Sequence, residues 1–95
     1  MFQKLKQFRE LRHTAKRLQR ELAEQRMTAE HNGITVEVDG NLDISRVDLP
    51  TGVGTEELQR RLPAALNHAI DKAQRVAAKC IRKHGGLEGL GLGKG

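Results

Sequence analysis

Between residues 27 and 54 the hydrophobic period of the chain drops to two, with Ile34, Val36 and Val38 alternating with Thr35, Glu37 and Asp39. A segment patterned in this way pairs as a half-buried strand. Asp39-Gly40-Asn41 follows, residue types that tolerate positive φ, so the strand is expected to turn back as a β-hairpin. On the return, Leu42 and Ile44 share one phase while Val47 and Leu49 share the other, which predicts a bulge near Ser45-Arg46. Met27 to His31 reads as a further short strand before a turn at Asn32-Gly33.

On both sides of this region the period becomes helical. Phe8, Leu11, Ala15, Leu18 and Leu22 recur at spacings of three and four, an apolar seam too short for a free-standing coiled coil and so expected to pack on another helix of the same assembly. After the loop Pro50-Thr51-Gly52-Val53-Gly54, Thr55 reads as a helix N-cap with Glu56 and Glu57 in the first turn. Leu58, Leu62, Leu66, Ile70, Ala73, Ala77 and Ile81 mark the buried face of that second helix, which Pro63 is expected to kink or interrupt. Gly85 is a natural stop, and residues 87–95 read as a flexible Gly/Leu-rich tail, leaving 1–86 as a single domain.

The order is therefore helix, two or three antiparallel strands, then helix, an α+β layer with helices on one face of a small sheet. Leu, Ile, Val and Phe together supply only 23 of the 95 residues. So thin a core, with sheet edges to protect, favours a symmetric homodimer.

Charge is partitioned along the chain. Residues 1–26 carry eight basic and three acidic side chains, residues 27–54 one and five, and residues 55–84 seven and three, within an overall net charge of +5. Two basic flanks enclosing an acidic middle suggest two surfaces built for one polyanion. On a helical wheel Arg9, Arg12, Lys16 and Arg20 lie away from the apolar seam, with His13 in the same stripe, and Lys72, Arg75, Lys79, Arg82 and Lys83 repeat the arrangement on the second helix. Arg12 with Lys16, Lys16 with Arg20, Arg75 with Lys79 and Lys79 with Lys83 are like-charge neighbours one turn apart, each mildly destabilising. A helix selected for stability alone alternates its signs, so these nine residues are the candidate nucleic-acid-binding set.

Other classes find less in the chain. Phe2 and Phe8 are its only aromatics, so the stacking platforms that hold single strands are missing and phosphate contact on a duplex remains. No P-loop, dinucleotide-binding glycine pattern, GxSxG elbow or HExxH run occurs, and the reading is of a protein that is not an enzyme and takes no cofactor or small-molecule substrate. Cys80 and His84 offer two ligands one turn apart, fewer than a zinc site needs, so no metal is expected. Asp39, Asp43 and Asp48 read as turn or solvent-side carboxylates. No apolar run reaches membrane-spanning length and no secretory signal is evident, which points to the cytoplasm.

Three segments, taken together and in order, resemble the YbaB/EbfC family of small bacterial nucleoid-associated proteins. They are MFQKLKQFRELRHTAKRLQRELAE, the strand pair ITVEVDGNLDISRVDL with its central DGN, and TEELQRRLPAALNHAIDKAQRVAAK. The resemblance implies an α-β-β-β-α protomer, a homodimer with projecting helices, and binding of double-stranded DNA in the nucleoid with organising or regulatory effect. Weak or broad sequence preference is expected, since no base-reading module is evident. The alternative reading is a protein-protein adaptor that docks a partner through its helical seams or C-terminal tail.

Overall fold

The computed structural model describes residues 2–83, with side chains from Lys4 onward. The element order is α1 (Phe2–Glu24), β1 (Met27–His31), β2 (Ile34–Val38), β3 (Ile44–Asp48) and α2 (Thr55–Lys83). This is the expected α-β-β-β-α arrangement, with Met27 to His31 as a full strand. The helix stop at Gly85 and the tail at 87–95 lie outside the described residues.

The sheet is antiparallel in the order β1-β2-β3. Asn32 and Gly33 both take positive φ, 54° and 79°, as a two-residue turn between right-twisted strands requires. β2 pairs with β3 through Val36↔Val47 and Glu37↔Arg46, then Val38↔Ile44, so Ser45 is the extra residue of a bulge where the change of phase predicts one.

The core forms where α2 crosses β1 and β2. Ile34, Val36 and Val38 are fully buried against a small-residue ridge, Ala65, Ala69 and Ala73, which lets the helix backbone come close to the sheet. Leu62, Leu66 and Ile70 flank the ridge and are half-buried, so the helix is centred on its alanines rather than on its leucines. α2 runs unbroken through Pro63, against the expected interruption. Gln59, whose carbonyl loses its partner at Pro63, is exposed, and water can satisfy it. The carbonyl of Gly54 accepts the first bond of the helix, from the Leu58 N–H at 3.1 Å, so Gly54 is the cap and Thr55 the first helical residue.

The hairpin turn between β2 and β3 does more than reverse the chain. Asp39 Oδ1 accepts from the backbone N–H groups of Asn41 at 2.9 Å and Asp43 at 3.1 Å, which confirms Asp39 as a turn carboxylate. The turn also docks on the C-terminal end of α1, where Asn41 Nδ2 donates to the Gln19 carbonyl at 2.9 Å. Positive φ falls on Leu42, at 67°, and not on Gly40 or Asn41.

Candidate nucleic-acid interface

α1 has 23 residues and α2 has 29, giving ridges of about 34 and 43 Å at 1.5 Å per residue. The same helical repeat that turns Leu18 inward turns Arg9, Arg12, Lys16 and Arg20 outward, and all four are exposed. On α2, burial of the alanine ridge leaves Lys72, Arg75, Lys79, Arg82 and Lys83 exposed. On α1, His13, Lys16, Gln19 and Arg20 line one shallow open hollow, so part of the predicted stripe forms a continuous surface.

Lys72 differs from the rest of its stripe. Its Nζ donates to the carbonyl of Thr28 on β1 at 2.7 Å. The two-residue turn makes His31 and Ile34 the closing hydrogen-bonded pair, so Thr28, three positions back, directs its carbonyl away from β2 toward the free edge. Lys72 thus caps an edge acceptor while keeping its charge at the surface.

Two further contacts follow the same line, where α2 meets β1. Arg61 Nη1 donates to the carbonyl of Asn32 at 3.4 Å, and the rings of His31 and His68 lie 5.2 Å apart with a 31° tilt. Arg61 and His68 share the helical stripe of Lys72, Arg75 and Lys79, a spacing visible in the sequence, yet neither stood out without a docked strand beside it. Other basic groups are drawn toward acids. Glu57 accepts from Arg60 and, at 3.0 Å, from Arg61, while Arg46 donates to Asp48 at 2.8 Å. The hydrogen bond from Arg61, with the Arg60 charge second, holds the Glu57 carboxyl below the usual range. The Asp48 carboxylate, as hydrogen-bond acceptor and as charge, holds the Arg46 guanidinium above its ordinary value.

Cys80 is buried and unpaired, a small core side chain, and its suggested partner His84 lies outside the described residues. Among the described residues no cluster of three or more His, Cys, Asp or Glu is placed to hold a metal ion, and no helix is long and apolar enough to cross a membrane.

A small α+β chain that turns two basic helical ridges to solvent has the charge distribution of a polyanion-binding protein. The chain belongs to the YbaB/EbfC DNA-binding family, which it matches over residues 1–87, and a nucleoid-associated DNA-binding role goes with that membership. No curated protein is significantly similar to it.

Proposed function

We propose that the protein is a non-enzymatic homodimer that binds double-stranded DNA mainly through phosphate contacts, with weak or broad sequence preference. It acts in the cytoplasmic nucleoid, in organisation of the chromosome or in gene regulation. The observation that carries this reading is the exposure of Arg9, Arg12, Lys16 and Arg20 on one helix and Lys72, Arg75, Lys79, Arg82 and Lys83 on the other. Phosphates lie about 3.4 Å apart along a strand, so a ridge of this length spans several of them.

The dimer is supported by what α2 leaves uncovered. α2 packs on β1 and β2 and has no contact with β3. Val47 and Ile44 lie opposite the buried Val36 and Val38 and so share their face of the sheet, yet both are exposed, as is Leu49. On α1, Phe8 of the apolar seam is 63% exposed. A second copy covers these apolar groups without touching the basic ridges.

The test is fluorescence anisotropy on random-sequence duplexes and a single strand at two salt concentrations. Four to six phosphate contacts give a slope of log affinity on log salt of about −0.9 per contact. Lys16→Glu with Lys79→Glu should weaken binding to all duplexes alike while the helical circular dichroism stays unchanged. Unaltered affinity in that variant sinks the proposal.

A further inference from the structure

The ring pair of His31 and His68 stands in the middle of the cationic line along the junction of α2 and β1, with Arg61 two turns before His68 and Lys72 one turn after it. One ring comes from the last residue of a strand and is half-buried; the other comes from a helix and is exposed. Each imidazole adds an N–H donor to a rim that already holds a guanidinium and an ammonium group, and the two rings are close enough to address one phosphate together. We propose that His31 and His68 form a phosphate-binding notch on this rim, extending the DNA surface from α2 onto the sheet and taking up protons as it binds.

The surroundings set the direction of the effect. On α2 the charged residues within two turns of His68 on its stripe are Arg61, with Glu57 bonded to it, Asp71, Lys72 and Arg75. On the sheet, β2 places Ile34 opposite His31, and the neighbouring Glu30 alternates to the other face. Arg61, paired with Glu57, and Lys72, bonded to the Thr28 carbonyl, stand on either side of the pair along the helix. A phosphate held between the rings favours their charged form, so the bound state carries more protons than the free state. Histidine is the side chain that changes charge between pH 5 and 8, which puts the response in an accessible range.

This inference rests on the duplex-binding reading, and its experiment separates the two. Duplex affinity is measured at pH 7.5 and pH 6.0 at fixed ionic strength, for the full chain, for His31→Gln/His68→Gln and for His68→Gln alone. Uptake of one proton steepens binding by up to about tenfold per pH unit, so the full chain should bind severalfold tighter at pH 6.0. His31→Gln/His68→Gln should lose most of that gain, and the single variant at the exposed His68 guards against loss of fold in the double. A gain in His31→Gln/His68→Gln equal to that of the full chain overturns the notch and leaves duplex binding standing. Absence of binding by the full chain at both pH values overturns the duplex-binding reading and the notch with it.

Discussion

The backbone N–H of Gly40 donates to the carbonyl of Leu22 at 2.9 Å, joining the hairpin turn to the end of α1. A Cβ on Gly40 would stand 2.8 Å from that same carbonyl oxygen, so glycine is required here by the approach of a helix rather than by its own φ. Gly40→Ala should therefore cost about 2 kcal/mol through forced separation of the turn from α1, read as a lower urea midpoint.

Leu42 shows the opposite situation, a branched side chain held at φ 67°. That region costs a non-glycine residue about 1–2 kcal/mol, and asparagine tolerates it better. Leu42→Asn should raise stability by up to about 1 kcal/mol, measured by urea unfolding at fixed protein concentration.

Lys72 and Lys79 occupy one stripe but have different duties. Removing the bond from Lys72 to the Thr28 carbonyl should lower unfolding stability by about 1 kcal/mol in Lys72→Ala. Lys79→Ala should stay within about 0.5 kcal/mol of the parent and show its effect in DNA affinity alone. Equal stability losses in the two variants would contradict the edge contact.

Glu57 gives the start of α2 an acid sensitivity. Its carboxyl titrates below the usual range because Arg61 and Arg60 favour the charged form, so the stabilisation is complete above the unfolded-state value and is lost as pH falls through the folded one. Glu57→Gln should be less stable than the parent at pH 7, with the two thermal midpoints drawing together as the pH falls below the ordinary carboxylate range.

The uncovered face of β3 makes a prediction about assembly. Val47→Asp places a carboxylate on a side chain that is 38% exposed in the single chain, at a cost to the isolated protomer of about 1 kcal/mol. Light scattering over a range of concentrations should nonetheless report a monomer. A mass of two chains at every concentration would refute β3 as the joining surface.

Much of this fold was legible in the sequence because side-chain period encodes it. Ile34, Val36 and Val38 announced the central strand, and the shift of phase between Ile44 and Val47 announced the bulge at Ser45. The basic ridges were legible for the same reason, since residues spaced three and four apart must share a helix face. Pro63 does not interrupt α2, because loss of one hydrogen bond at an exposed turn does not stop a helix anchored by Ala65, Ala69 and Ala73. The contacts of Arg61 with Asn32, His68 with His31 and Lys72 with Thr28 were not legible. They depend on the line along which α2 crosses β1, and periodicity carries no information about the docking of one element on another.

The two margins of the sheet are not alike: a lysine stands over one, at Thr28, and the other, along β3, is bare. If the proposed two-fold dimer pairs its sheets edge to edge along β3, both partners spend that margin on each other. Further strand-by-strand stacking, which a small, apolar, half-covered sheet invites, then has only the β1 margin left, where Lys72 already occupies one of the carbonyls.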